Sequence, residues 1–177
     1  MKHPSPTERL LLRPLDRADA SEVLCLLNDP EWLARVGDRG LRSLEDAEHF
    51  LAEGYWTRYA SQGFGFYALE RRWQPGLIGV CGLAQRDYLD APDIGYGLLP
   101  QGRGQGLAQE AARAVLALAW KLGLQRVLAT VRLDNTASQQ VLERLGMVRQ
   151  RQMLSPSSGQ ALWVYAIEAS ACDQRRD

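Results

Sequence analysis

The segment from Asp93 to Ala108 constrains the fold most, because a short strand there leads through three alternating glycines into a long helical pattern. The glycines are Gly102, Gly104 and Gly106. Glycine lets the backbone approach a ligand closely, and the first turn of a helix carries unpaired N–H donors at its positive dipole end. Together these features favour binding of a phosphate or pyrophosphate group. The alternative interpretation is a flexible strand–helix turn that binds no ligand.

Two common phosphate-binding motifs do not fit this segment. A Walker loop requires a Gly-Lys pair, which the sequence lacks, and a dinucleotide fingerprint starting at Gly104 requires a small residue where Gln109 stands. A doubly wound nucleotide-binding fold is therefore the least favoured interpretation. A different pattern, Gln/Arg-x-x-Gly-x-Gly/Ala, fits residues 103–108 without exception. Its six positions hold Arg103, Gly104, Gln105, Gly106, Leu107 and Ala108.

The hydrophobic periodicity predicts a mixed α/β domain, with a central sheet of roughly six or seven strands and about four flanking helices. Strands are predicted at 9–13, 64–70, 77–84, 93–99, 126–131, 147–153 and 162–168, and helices at 16–28, 43–55, 104–122 and 135–145. A capping box of Ser43 and Asp46 begins the second helix, and a turn at Gln74–Gly76 separates the second and third strands. The strand–helix–strand order over 93–131 requires a parallel crossover.

Length and charge limit the class of protein. The chain has 177 residues, which predicts a single domain over residues 1–169 and a frayed tail over 170–177. Its 21 Lys and Arg residues balance its 21 Asp and Glu residues. This balance argues against a dedicated nucleic-acid-binding protein, because phosphate contacts usually require a basic surplus.

The cysteines and histidines are scattered along the chain. Cys25, Cys81 and Cys172 are widely spaced, and the two histidines, His3 and His49, are far apart. We therefore expect no metal site and no disulfide framework, and thiols kept reduced in the cytoplasm. Neither a signal core nor a run of about 18 apolar residues is present, so we expect a cytoplasmic protein without a membrane partner.

The pattern at 103–108 resembles the acetyl-CoA pyrophosphate loop of the GNAT superfamily of N-acetyltransferases. Around it, four segments in matching order resemble the RimJ/RimL-type branch of that superfamily. They are Thr7–Pro14, Asp93–Tyr96, Gly106–Ala111 and Asp134–Gly146. The resemblance implies the GNAT fold, in which two central parallel strands splay apart, and direct acetyl transfer from acetyl-CoA to a primary amine. It leaves a homodimer open.

The resemblance also implies which residues bind acetyl-CoA. Backbone groups of Gly97, Leu98 and Leu99 would contact the pantetheine arm and the thioester carbonyl. The amides of the loop would hold the pyrophosphate, and these belong to Arg103, Gly104, Gln105, Gly106, Leu107 and Ala108. The Arg103 side chain would add only charge, or is a plain surface arginine. Asn135 would lie near pantetheine, and its alternative role is a helix N-cap.

Two residues are candidates for catalysis. Many GNAT enzymes carry a tyrosine four residues before the glycine that ends the late helix, and here that position is Leu142. The N-x-x-S pattern instead suggests that Ser138 hydrogen-bonds the CoA sulfur, with a purely structural serine as the alternative. Asp93 matches an acidic residue of the branch and could deprotonate the amine through water. Its alternative interpretation is a solvated acid at a strand end.

The acceptor end of the site is less specified. Five aromatic residues could line it, although aromatics are more often core residues, and three acidic residues could attract a cationic amine. They are Trp32, Trp56, Tyr67, Tyr88 and Trp163, with Asp29, Glu31 and Asp90. A protein N-terminal amine is slightly favoured as the acceptor. A polyamine, amino acid or antibiotic remains an alternative, as does a catalytically silent CoA-binding module.

Overall fold

The computed structural model describes residues 2–54 and 56–170. Seven strands form one sheet, and six helices and two 3₁₀ turns connect them within this part of the chain. The strands are β1 (Leu10–Pro14), β2 (Phe66–Arg71), β3 (Gln74–Ala84), β4 (Asp93–Leu98), β5 (Arg126–Arg132), β6 (Val148–Leu154) and β7 (Ala161–Glu168). The helices are α1 (Ala20–Leu27), α2 (Pro30–Arg35), α3 (Leu44–Glu53), α4 (Tyr59–Gln62), α5 (Leu107–Lys121) and α6 (Thr136–Arg144), and the 3₁₀ turns are Arg17–Asp19 and Pro100–Gly102.

The mixed α/β prediction is confirmed, and the strand order is β1-β2-β3-β4-β5-β7-β6. All neighbouring strands are antiparallel except β4 and β5, which are parallel. These two share a single paired position, Asp93 opposite Leu128. Beyond that position the strands diverge, so the sheet opens into a cleft at its centre. This is the splayed pair that the sequence resemblance implied.

Each sheet face is covered by its own hydrophobic core. One cluster joins α5 to side chains such as Tyr67, Cys81 and Ile94, and the other joins α1 and α3 to Phe66, Val80 and neighbours on the opposite face. The alternation follows from the two-residue period of a strand. We call the first the α5 face and the second the α1–α3 face.

Several predicted boundaries were wrong. The prediction of about four helices missed α2 and α4. The helix predicted to end at residue 28 does end there, since α1 stops at Leu27, and Asp29 and Pro30 then begin α2. The Asp29 carboxylate accepts from the N–H groups of Glu31 and Trp32, and Pro30 occupies the first turn. The predicted helix at 16–28 begins as a 3₁₀ turn.

Two further boundaries differ at turns. Gln74–Gly76 belong to β3, where a register irregularity absorbs them, and the turn itself is at residues 72–73. Helix α5 begins at Leu107, because Gly106 before it has a left-handed backbone. The capping box of Ser43 and Asp46 is confirmed. Tyr55, predicted to end that helix, and residues 171–177 of the predicted tail lie outside the described residues.

Candidate functional site

The loop between β4 and α5 forms a cradle of backbone N–H groups. Gly104 has φ 71° and Gly106 has φ 74°, whereas Arg103 has φ −76° and no described non-glycine residue has positive φ. Such alternation turns successive N–H groups toward one concave surface that suits an anion. Within the described chain, the N–H groups of residues 104–109 have no acceptor, and the first bonded amide is that of Glu110, to the Gly106 carbonyl at 3.1 Å.

The cradle modifies the predicted set of phosphate-binding amides. The Arg103 N–H already donates to the Pro100 carbonyl at 3.2 Å, so it is not among the free donors. The amide of Gln109 is free and was not predicted. The amides of Gly104, Gln105, Gly106, Leu107 and Ala108 remain available. The Leu107 side chain is fully buried, so only its backbone can face a ligand.

The Arg103 side chain is held by protein groups. Its Nε donates to the Leu98 carbonyl at 2.9 Å, and Nη2 lies 2.5 Å from Asp29 Oδ1. Nη1 lies 3.1 Å from Glu31. Burial alone would raise the pKa of Asp29, but the Arg103 hydrogen bond and backbone N–H groups outweigh it and hold that pKa below its usual value. Arg103 is therefore not a plain surface arginine, and it neutralises two carboxylates that were candidates for attracting an amine.

Two arginines that were not predicted fix the loop. Arg9 Nη1 donates to the Gln105 carbonyl at 2.9 Å, and the same guanidinium pairs with Glu110 at 2.6 Å. Arg71 Nη2 donates to the Gln101 carbonyl at 3.0 Å and to the Gln105 side chain at 2.9 Å. Both lie far from the loop in sequence, so no local pattern could indicate these contacts.

The backbone of β4 faces the cleft at alternate residues. The Leu99 N–H donates to the Ile78 carbonyl at 2.9 Å, on the β3 side. In an antiparallel ladder both polar groups of a residue point the same way and successive residues alternate. Gly97 and Leu99 therefore point toward β3, which makes the prediction of their backbone contacts to pantetheine wrong. The backbone N–H and C=O groups of Leu98 and Tyr96 face the cleft. Tyr96 was not predicted as a contact to the ligand.

Gly97 instead gives space to an aromatic ring. A Cβ at Gly97 would lie 2.3 Å from Cζ3 of Trp32, so the indole packs directly on this strand beside the cleft. Trp32 is buried on the α1–α3 face together with Trp56. We call this region, with Asp29, Glu31 and Arg103, the α2 corner.

The start of α6 brings two predicted residues to the same place. The Asn135 side-chain oxygen accepts from the Ser138 N–H at 3.2 Å, so the N-cap role is confirmed. Within the described chain, the Asn135 amide nitrogen has no partner and can still donate to a ligand. The Ser138 hydroxyl lies 2.8 Å from the Tyr96 hydroxyl, which also lies 3.2 Å from the Ser138 carbonyl. Leu142 is buried in the core, so no polar group comes from that position.

Asp93 begins β4 at the closed end of the cleft. Its side chain is 2% exposed, and its Oδ1 lies 2.7 Å from Nε of Arg86. Burial raises the pKa of Asp93, and the charge and hydrogen bond of Arg86 oppose that rise. The interpretation as a solvated strand-end acid is therefore wrong. Its assignment as a base stays a prediction.

The candidate acceptor residues divide into core and surface groups. Trp56 and Tyr67 are buried, and Trp56 stacks on Phe66 at 4.9 Å between ring centroids. Trp163 lies under the guanidinium of Arg149 at 4.5 Å. Tyr88 is exposed, and so is Asp90, at 4.0 Å from Arg126.

The described part of the chain contains no group of three or more His, Cys, Asp or Glu side chains able to hold a metal ion. Within residues 2–54 and 56–170, no helix is long and apolar enough to span a membrane.

The open α/β sheet therefore combines a central cleft with a cradle of backbone N–H groups at the start of α5, an arrangement suited to an extended anionic ligand. The family described as "Acetyltransferase (GNAT) domain" matches residues 9–148. The chain belongs to this family and is an N-acetyltransferase.

Similar proteins agree in fold and length. "Uncharacterized N-acetyltransferase YoaA" of Bacillus subtilis (strain 168) is 29% identical over 148 residues, covering 81% of this chain and 82% of that relative. An acetyltransferase structure from Agrobacterium tumefaciens is 26% identical, with TM-score 0.79 and coverage of 96% of each chain. RimL, described as a ribosomal L7/L12 alpha-N-protein acetyltransferase in complex with coenzyme A, shares the fold at 20% identity, with TM-score 0.79 and coverage of 94% of this chain and 98% of that one.

Proposed function

We propose that the protein uses acetyl-CoA to acetylate a primary amine directly, and that a protein N-terminal amine is the favoured acceptor. The observation that carries this proposal is the cradle of free N–H groups at residues 104–109, beside a cleft that opens between β4 and β5. Backbone donors at a helix start suit a pyrophosphate. A cleft between splayed strands gives an extended pantetheine arm access to strand-edge hydrogen bonds. The acceptor preference is supported by the activity that RimL is named for.

The residues of the cleft can meet the demands of acyl transfer. The amine nitrogen attacks the thioester carbon, the C–S bond breaks with its electron pair going to sulfur, and the amine loses one proton. Donors that face the growing negative charge lower the barrier. We infer that the Leu98 and Tyr96 amides would face the thioester oxygen and that the Ser138 hydroxyl would face the sulfur. Asn135 would hold the pantetheine arm through its free amide nitrogen.

Asp93 is the proposed base for the amine. An amine with a pKa of about 10.4 must lose a proton before it attacks. A carboxyl group with a raised pKa is a better base at neutral pH. Burial raises the pKa of Asp93, while the charge and hydrogen bond of Arg86 oppose the rise. An Asp93→Asn variant should lose rate on the alkaline-activating limb of the pH–rate profile. An unshifted profile would leave Asp93 as the ion-pair partner of Arg86 only.

A thiol-release assay tests the function. Acetyl-CoA would be supplied with peptides of free N-terminus, a polyamine, amino acids and an amine-bearing antibiotic, and release of CoA thiol would be followed. We expect turnover with the peptides. Turnover only with a small amine would overturn the acceptor preference, and CoA binding without any turnover would indicate a silent module.

A serine pair gives a matched control for that assay. Ser138→Ala should slow acetyl transfer by about tenfold or more, as expected for a lost hydrogen-bond donor at the leaving group. Ser61, whose hydroxyl contacts the Arg58 carbonyl at 3.3 Å on an exposed turn of α4, provides Ser61→Ala as the control. Equal rates for both variants would remove Ser138 from the mechanism.

A further inference from the structure

The phenol of Tyr96 reaches across the cleft to α6. Tyr96 lies on β4, one wall of the cleft, and Ser138 lies in the first turn of α6, which follows the opposite wall, β5. Their hydroxyl oxygens are 2.8 Å apart. Leu142, four residues before Gly146, is buried and brings no hydroxyl to this end of the cleft. A phenol therefore reaches this end of the cleft from the other wall.

Counting hydrogens shows what this contact can do for Ser138. Each hydroxyl has one hydrogen to donate and can accept. If Ser138 donated to Tyr96, its only hydrogen would be spent and could not reach a sulfur atom. If Tyr96 donates to Ser138 Oγ, the serine hydrogen is free to turn into the cleft. Burial raises the pKa of Tyr96 well above its usual value, which keeps the phenol protonated as a donor.

Either hydroxyl can be the donor in this contact. The 2.8 Å separation between hydroxyl oxygens is typical of a well-formed O–H···O bond, whereas the Ser138 carbonyl is further away, at 3.2 Å. That carbonyl also lies within α6, where the helical pattern provides it with an amide partner. When the phenol is the donor, Ser138 Oγ is therefore the nearer of its two acceptors.

We propose that Tyr96 is a positioning residue: it donates to Ser138 Oγ and so directs the serine hydroxyl hydrogen toward the CoA sulfur. The inference rests on the proposed function, because it assumes that the sulfur lies beside Ser138. The Tyr96 phenol transfers no proton and touches no reacting atom. Its effect is to set the direction in which Ser138 donates as the C–S bond breaks.

A pair of ligands separates this role from a merely structural one. CoA and desulfo-CoA, in which hydrogen replaces the thiol, differ only at the sulfur. Calorimetry would give the ratio of their dissociation constants for the wild type, Tyr96→Phe, Ser138→Ala and the double variant. We expect the wild type to prefer CoA by several fold. Ser138→Ala and Tyr96→Phe should both bring the ratio close to one while desulfo-CoA affinity stays unchanged, and the double variant should lose nothing further.

Tyr165 provides the matched control. Tyr165 is fully buried, whereas Tyr96 is partly buried. The Tyr165 hydroxyl donates to Glu143 of α6 at 3.2 Å, away from Ser138. Tyr165→Phe should keep the wild-type ratio. Circular dichroism would verify that each variant is folded.

Two results would overturn the proposal. One is a Tyr96→Phe variant that weakens the binding of CoA and desulfo-CoA equally, because that result would mean that the Tyr96 contact only holds β4 and α6 together. The other is a wild-type protein that does not distinguish the two ligands. If the wild type does distinguish them and Tyr96→Phe does not, yet no amine is acetylated, the inference stands and the proposed function fails.

Discussion

The phosphate loop (residues 103–109) and the α2 corner share Arg103, but different groups determine their structures. In the loop, six consecutive amides from 104 to 109 have no acceptor within the described chain. In the α2 corner, charged side chains are paired with one another, as Arg103 is with Asp29 and Glu31. The loop is therefore ready to bind an anion through its backbone. The charges of the corner instead hold its own shape.

This difference implies that the two regions respond to different changes. Ligand binding by the loop depends on its backbone conformation, and its exposed side chains contribute little. The stability of the α2 corner depends on side-chain packing and ion pairs. Variants that separate these dependences test the comparison.

The largest effect is expected from replacing both loop glycines by alanine. A Cβ added at Gly104 would meet nothing within 4 Å, and one at Gly106 would meet only Arg9 Nη2 at 3.7 Å, so the change acts through backbone strain and not through collision. A left-handed conformation costs an L-residue about 1–2 kcal/mol. The Gly104→Ala, Gly106→Ala double variant should therefore flatten the cradle and weaken CoA binding at least about tenfold by calorimetry.

Gly159→Ala controls for strain alone. Gly159 has φ 68° and open space around it, in the turn between β6 and β7. It should lower the melting temperature slightly and leave CoA affinity unchanged. Equal CoA affinity in the double variant and the wild type would show that the cradle does not hold the ligand.

Gly97→Ala should destabilise the α2 corner. Its Cβ would lie 2.3 Å from Trp32 Cζ3, so either the indole or the strand must shift. Overpacking of this kind costs about 1–3 kcal/mol of unfolding free energy, measurable by denaturant titration. Gly95→Ala meets the tip of Phe66 at 3.0 Å on the same face and should cost less. A larger loss for Gly95→Ala than for Gly97→Ala would contradict the assigned packing.

Arg103→Met sharpens the comparison because Arg103 joins the two regions. It leaves Asp29, whose side chain is 9% exposed, without its cationic partner. The N–H groups of Glu31 and Trp32 still bind this carboxylate, so the expected cost is that of one lost charge-assisted hydrogen bond, about 1.5–3 kcal/mol of unfolding free energy. CoA affinity should change by less than about threefold, because the guanidinium contacts carboxylates and not the phosphate-binding amides. A threefold change is less than about 1 kcal/mol of binding free energy. A tenfold loss of CoA affinity would instead make Arg103 a phosphate ligand.

A second substitution should partly reverse that loss of stability. Asn is also a good N-cap, so Asp29→Asn keeps the cap of α2 while removing the unpaired charge. The Arg103→Met, Asp29→Asn double variant should unfold at a higher denaturant concentration than Arg103→Met. An additive loss would mean that the ion pair does not couple the two residues.

The phosphate loop could be predicted from the sequence because its chemistry is local. Alternating glycines before a long apolar-periodic helix are enough to indicate left-handed backbone and free amides, and Gly104 and Gly106 have that backbone. Most of the strands were likewise visible as apolar runs, whereas the polar β6 was predicted as the partner of β7 across the turn at 155–159. In both cases the physical cause lies within a few neighbouring residues.

The α2 corner could not be predicted because its contacts join distant residues. Asp29-Pro30 follows the end of α1 and also begins α2, and the packing of Trp32 on Gly97 joins this short helix to a residue 65 positions later in the sequence. The partners of Arg103 and Asp93 depend on where α2 and the loop before β4 fold. For the same reason the phenol of Tyr96 gave no signal, since its partner Ser138 is 42 residues away.

The most direct test of the central claim is an amide NMR titration of the folded protein with CoA and, separately, with pantetheine, which lacks the pyrophosphate. We predict that CoA shifts the amide signals of residues 104–109 strongly and that pantetheine leaves them almost unchanged while shifting those of Tyr96 and Leu98. Loop signals that stay in place when CoA binds elsewhere in the protein would contradict the claim that this cradle holds the pyrophosphate.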